Sequence, residues 1–300
     1  MNGQWAKGED DWINQRVMHL RLIYNLSLKH NRVLLVCVAY VTDKIQARRE
    51  FIMCLILFSY RPDSNRPLVV AANRDEVHER ASQTAMFWED APTILAGRDL
   101  VAGGTWLGCN REGRFAALTN FSGEGDPVTP KSRGALVHDF LSSELTAMDY
   151  VNKINGAEYA GYNLLVWDRQ SLIYTSNKAP TQVLTAGDYG LSNAELGAPW
   201  PKCINGKNNL AGIIDKNFDE NDLISLLSDE FIAEDQSLPR RGKPLEMERK
   251  IAPCFIKDPV YGTRASTVLI LEDQSLKFTE QSYLPNGIKS TRQSYTLDIG

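Results

Sequence analysis

Apolar and polar positions along the chain fall into short blocks rather than long helical stripes. Cys54–Tyr60 is a compact apolar run, too short for a helix, and reads as a buried strand. Residues 61–67 are rich in Pro, Asp, Asn and Ser, and a second apolar run follows over residues 68–74, so the pair predicts a hairpin. Residues 103–108, dense in glycine, lead into a third strand, and the turn at residues 110–113 leads into a fourth over residues 114–120. After a Gly/Pro-rich loop over residues 121–131, Ser132 reads as a helix N-cap, with Leu136, Val137 and Phe140 on one face of the helix it starts. Tyr162–Trp167 and Leu172–Ser176 predict another hairpin through Asp168-Arg169-Gln170. Helical spacing returns over residues 202–214 and 220–227, prolines and a glycine interrupt residues 238–244, and residues 265–271 and 277–283 predict a last hairpin. Strands, helices, strands, helices, strands in that order predict an α+β fold with segregated layers rather than a βαβ alternation.

Residues 1–52 differ from the rest. They hold two of the four histidines and one apolar stretch, residues 33–41, too short to span a bilayer. The charged residues after it give no signal-peptide cleavage site. The expectation is an atypical extension ahead of Met53, from a mis-set start or a leader, followed by a single domain over residues 53–300. Composition narrows the function. A net charge of −4 gives no electrostatic case for nucleic acid. No window is long and apolar enough for an integral membrane span. Cys37, Cys54, Cys109, Cys203 and Cys254 are odd in number and never at metal-ligand spacing, so neither a disulfide framework nor a structural metal is expected, and a reducing, cytoplasmic setting fits.

The chemistry centres on Met53-Cys54. With Met53 removed, one residue carries both a thiol and a free amine, with ordinary pKa values of about 8.5 and 7.7–8.0. The amine then accepts the thiol proton near neutral pH, which is how amino-terminal nucleophiles work. With Met53 attached, that chemistry is closed. Arg74 and Asp75 end the adjoining strand in Asn73-Arg74-Asp75-Glu76. They read either as a solvated strand end with a local ion pair or as the groups that tune the cysteine. Asn120 and Asn193 each read as an oxyanion donor or as a turn cap. Arg264 reads as a binder of a substrate carboxylate or as an exposed arginine. His78 and His138 read as surface or helix-face residues.

Seven motifs then occur in order: Met-Cys-Leu-Ile-Leu-Phe, Ala-Ala-Asn-Arg-Asp-Glu, Leu-Ala-Gly-Arg-Asp-Leu, Gly-Gly-Thr-Trp-Leu-Gly, Arg-Phe-Ala-Ala-Leu-Thr-Asn, Tyr-Gly-Leu-Ser-Asn and Tyr-Gly-Thr-Arg-Ala-Ser-Thr-Val. Together they closely resemble the NRDE family, also called the transport and Golgi organization protein 2 family, over residues 53 to 285. The resemblance implies a four-layer αββα sandwich of the amino-terminal-nucleophile hydrolase type and a chain that starts at Met53. By likeness to cysteine amidohydrolases of that fold, it implies catalytic roles for Cys54, Arg74, Asp75, Asn120, Asn193 and Arg264. It implies intracellular haem binding and trafficking, with haem as cargo and no cofactor needed for hydrolysis. The alternatives are an amino-terminal cysteine amidohydrolase acting on non-peptide C–N bonds and a non-catalytic lipid- or acyl-CoA-handling protein. Each implies a small-molecule ligand: haem, an amide or a lipid.

Overall fold

The computed structural model describes residues 53–121 and 130–300. The expected extension over residues 1–52 lies outside the described residues, as does most of the predicted loop over residues 121–131. Two wholly antiparallel sheets carry the fold. The first has the strand order β10-β1-β2-β11-β12-β13, built from β1 (Cys54–Tyr60), β2 (Leu68–Val77), β10 (Gly187–Leu191), β11 (Tyr261–Leu271), β12 (Ser275–Leu284) and β13 (Ile288–Asp298). The second runs β3-β4-β5-β6-β7-β8-β9, with β3 (Ser82–Phe87), β4 (Ile94–Asp99), β5 (Leu107–Asn110), β6 (Phe115–Asn120), β7 (Tyr162–Trp167), β8 (Leu172–Ser176) and β9 (Gln182–Val183). The described helices are α1 (Gly134–Leu141), α2 (Ala147–Lys153), α3 (Pro201–Ile214), α4 (Glu220–Leu227) and α5 (Leu245–Lys250).

Strand alternation sorts the apolar side chains into three cores. Ile56 and Phe58 of β1 and Val70 and Ala72 of β2 face Phe115, Ala117, Leu165 and Tyr174 between the sheets. Leu55, Leu57, Val69 and Ala71 point the other way, onto Leu210 of α3 and Leu223 and Leu227 of α4. On the far side, Ala116, Leu164 and Val166 meet Leu136, Val137 and Phe140 of α1 and Tyr150 of α2. The result is the expected four-layer αββα sandwich. Among the described residues, all three cores are built from positions within 54–300. Each buried Leu, Ile or Phe contributes roughly 1.5–3 kcal/mol relative to exposure.

Glycines set how closely α3 approaches the first sheet. A Cβ on Gly190 of β10 would fall 2.7 Å from the Cys203 carbonyl oxygen, and one on Gly206 of α3 would fall 2.7 Å from a Leu57 methyl. That close approach places Lys202, at the start of α3, beneath the end of β2.

Several local expectations are revised. β3, β4, β9, β10 and β13 and the helices α2 and α5 are additions to the elements that the apolar pattern predicts. The strand that residues 103–108 lead into is found as expected, at Leu107–Asn110. The helix expected from Ser132 begins one residue further on, with Arg133 at its N-cap and no side-chain cap. Its first turn is fixed instead by close backbone contact: a Cβ on Gly104 would fall 2.5 Å from the carbonyl carbon of Gly134.

Candidate functional site

Cys54 opens β1, opposite Arg74 in the antiparallel register, and Thr263 of β11 lies opposite Asp75. Residues paired across antiparallel strands share a face. Cys54 and Arg74 therefore lie on the inter-sheet side, and Asp75 on the helical side. The loop after β10 supplies the third edge. Asn193 Oδ1 accepts the Cys54 backbone N–H at 2.9 Å, and Ser192 Oγ donates to the Cys54 carbonyl at 2.6 Å. Thr119 Oγ1 and Asn163 Nδ2 of the second sheet both donate to the Ser192 carbonyl, which ties this loop across the sandwich. Asn193 Nδ2 donates to the Asn120 carbonyl at 2.8 Å. The Asn120 side-chain amide has no partner among the described residues.

Asp75 is fully buried. One carboxylate oxygen accepts from Thr263 Oγ1 at 2.6 Å, and the other is buried without a partner. Its backbone N–H donates to the Met53 carbonyl at 3.1 Å. Burial lifts its carboxyl to about 7, with Lys202, the Thr263 hydroxyl and Arg74 pulling the other way. The same burial, reinforced by the Asp75 carboxylate, pushes the Cys54 thiol up to about 12, against weaker help from the Asp75 N–H and Arg74. With Met53 attached, Cys54 is thus an unreactive thiol at neutral pH. Burial also holds the Tyr261 hydroxyl far above its ordinary range, so it stays neutral. Its oxygen accepts the Met53 N–H at 2.6 Å.

The other motif residues divide by task. Asn73 is structural: its amide donates to the carbonyls of Leu227 and Cys254, and its oxygen accepts from Ser266. Arg74 pairs with Glu76 at 3.5 Å, not with Asp75. Arg264, at the β11 bulge, spends one guanidinium nitrogen on the carbonyls of Val77, His78 and Arg80, and donates from the other to Ser82 Oγ. It borders the site through the fields of Arg74 and Glu76 and is not among the hydrogen-bond partners of Cys54. His138 lies on the exposed face of α1, stacked on Trp88. Both ring nitrogens of His78 are buried without a partner.

Sequence reasoning missed Tyr261, Ser192, Thr263, Lys202 and the buried Arg241–Glu248 pair. Tyr261, Ser192 and Thr263 stand inside motifs already recognised, next to the residues chosen from them. Lys202 and the Arg241–Glu248 pair carry no motif and reach the site only through tertiary structure. No group of three or more His, Cys, Asp or Glu among the described residues is arranged to hold a metal ion. No helix among them is long and apolar enough to cross a membrane.

Residues 53–285 match the family model described as Transport and Golgi organisation 2. The chain is 34% identical over 258 residues to the transport and Golgi organization protein 2 homolog of Homo sapiens, spanning 77% of this chain and 94% of the human protein. It is 26% identical over 262 residues to transport and Golgi organization protein 2 of Drosophila melanogaster, spanning 77% and 92%. Among solved structures, a mutant conjugated bile acid hydrolase from Clostridium perfringens superposes with a TM-score of 0.47 at 10% identity, over 82% of this chain and 92% of that one. An N-acylethanolamine-hydrolyzing acid amidase ortholog from Caenorhabditis elegans gives 0.42 at 12% identity, over 73% and 94%.

Proposed function

The chain belongs to the transport and Golgi organisation 2 family, and on that footing we propose that it is an amino-terminal cysteine amidohydrolase acting on a non-peptide C–N bond. The observation that carries this reading is the grip of Asn193 Oδ1 on the Cys54 nitrogen, beside a buried carboxylate with one unpartnered oxygen. Once Met53 is gone, the Cys54 amine is held by Asn193, and the second oxygen of Asp75 stabilises its ammonium form. The amine takes the thiol proton. Sulfur then attacks the amide carbonyl, the C–N bond breaks, and the departing amine leaves with that proton. Water next attacks the thioester, releasing the acid and restoring the thiol. Asn120 is the oxyanion donor, because its amide has no partner among the described residues while both ends of the Asn193 amide are engaged. Arg74, on the face of Cys54, favours the thiolate.

The test compares the full chain with the chain begun at Met53, from which the initiator is removed co-translationally ahead of the small cysteine side chain. Assayed against a panel of acyl amides, the shortened chain hydrolyses at least one and the full chain does not. Cys54→Ala abolishes the activity, and Asn120→Ala lowers it roughly 100- to 1000-fold. Undiminished hydrolysis in Cys54→Ala sinks the reading.

A further inference from the structure

Met53 fills a site of its own. Its side chain is buried. Its N–H donates to Tyr261 Oη at 2.6 Å, its carbonyl accepts from the Asp75 N–H at 3.1 Å, and its sulfur accepts from Arg241 Nη1 at 3.4 Å. Arg241 is locked independently of Met53. It forms an ion pair with Glu248, the two side chains being only 8% and 4% exposed, and its guanidinium lies over the Trp200 ring at 4.7 Å. A cleft lined by Trp200, Lys202, Leu238, Arg241 and Ile251 opens beside it. Departure of Met53 therefore leaves a preformed hollow whose carbonyl donor, the Asp75 N–H, also faces the Cys54 thiol. It offers one acceptor for an N–H, one donor for a carbonyl, and an apolar slot closed by a fixed guanidinium.

We propose, building on the reading of Cys54 as nucleophile, that this hollow is the subsite for the acyl half of the substrate. Its chemistry selects an α-amido acyl group, that is, an N-substituted aminoacyl amide with a flexible apolar side chain, over a plain fatty acyl chain. The carbonyl of such a group rests on the Asp75 N–H, within reach of sulfur. Its α-N–H meets Tyr261 Oη, and its side chain enters the slot at Trp200 and Arg241. A plain acyl chain has no N–H for Tyr261, and a buried polar oxygen left unpaired is costly. The expected discrimination is about tenfold or more in affinity.

The test reads binding rather than turnover. The chain begun at Met53, carrying Cys54→Ala, is titrated calorimetrically with N-acetyl-methioninamide, with its N-methyl analogue lacking the α-N–H, and with hexanamide. The first binds about tenfold or more tightly than the other two, and Tyr261→Phe brings all three together. Equal affinities for the first two probes overturn the proposal without any reliance on the Tyr261 variant. A preference that survives in a folded Tyr261→Phe overturns it as well. Selective binding with no hydrolysis by the Cys54 chain removes the hydrolase reading and leaves the subsite standing, whereas hydrolysis without selectivity does the reverse.

Discussion

Removing Met53 raises the alkylation rate of Cys54 by iodoacetamide at pH 7.5 by about two orders of magnitude. In the full chain the thiol is pushed up to about 12 by burial and by the Asp75 carboxylate, so almost no molecule carries the thiolate at that pH. A terminal cysteine with an ordinary value near 8.5 carries it in roughly one molecule in ten; reaction runs through the thiolate, and the weaker nucleophilicity of a less basic thiolate offsets about half of that gain. Freeing the nitrogen also creates a cation beside the sulfur, which acts in the same direction. Peptide mapping after timed quenching reads the rate at each cysteine separately. Cys109, Cys203 and Cys254 are buried, with thiols raised chiefly by burial, and serve as internal standards that stay unmodified in both forms. Equal rates at Cys54 in both forms contradict the coupling of amine to thiol.

Replacing Asp75 with Asn flattens the pH dependence of stability in the full chain. The Asp75 carboxyl is held near 7 in the folded chain by burial, against an ordinary value of 3.8. The folded chain thus keeps a proton that the unfolded chain releases. The stability associated with that proton is complete below about pH 4 and is lost as pH rises through about 7. Each tenfold gain in proton affinity on folding corresponds to roughly 1.4 kcal/mol, so the effect amounts to several kcal/mol. The groups facing this carboxyl are Lys202 and Arg74, which favour its charge, Glu76, which opposes it, and the Thr263 hydroxyl, which donates to it. Asparagine keeps an acceptor for Thr263 and carries no charge. Denaturant titrations at pH 5 and pH 8 therefore show the variant gaining on the parent chain as pH rises. Glu280, also raised by burial, gives a residual slope of the same sign in both proteins, which the comparison cancels. A difference between parent and variant that is the same at both pH values rules out a buried carboxyl that holds its proton to near neutrality.

The inner strands are readable in the sequence because they are buried on both faces. Every residue of β1 is buried, and β7 likewise, so each appears as a largely apolar run, interrupted only by Ser59 and by Asn163. β13 is invisible for the opposite reason. It is an edge strand exposed over most of its length, held by the β12 ladder rather than by apolar side chains. β10, at the other edge, is Gly187-Asp188-Tyr189-Gly190-Leu191, whose glycines mimic a turn. The hairpin over residues 54–74 already implies that Cys54 and Arg74 meet, since the register follows from its two strands. What it does not imply is that Asp75, one residue on, turns its carboxylate to the helical side and reaches the cysteine through its backbone N–H. The partners that fix its charge, Lys202 and Thr263, come from α3 and β11, and the wall of the Met53 site comes from residues 241 and 248. Thr263 stands inside a recognised motif, but no local pattern announces the others, because each becomes part of the site only when distant elements meet.

Catalysis by this site requires Cys54 to present a free amine beside its own sulfur. The direct measurement is tandem mass spectrometry of the amino-terminal peptide of protein purified from its native source, without prior digestion at methionine. Chains that begin at Cys54, with the thiol and amine both unmodified, are the expected result. Native protein in which the Met53–Cys54 bond is intact in every molecule would contradict it.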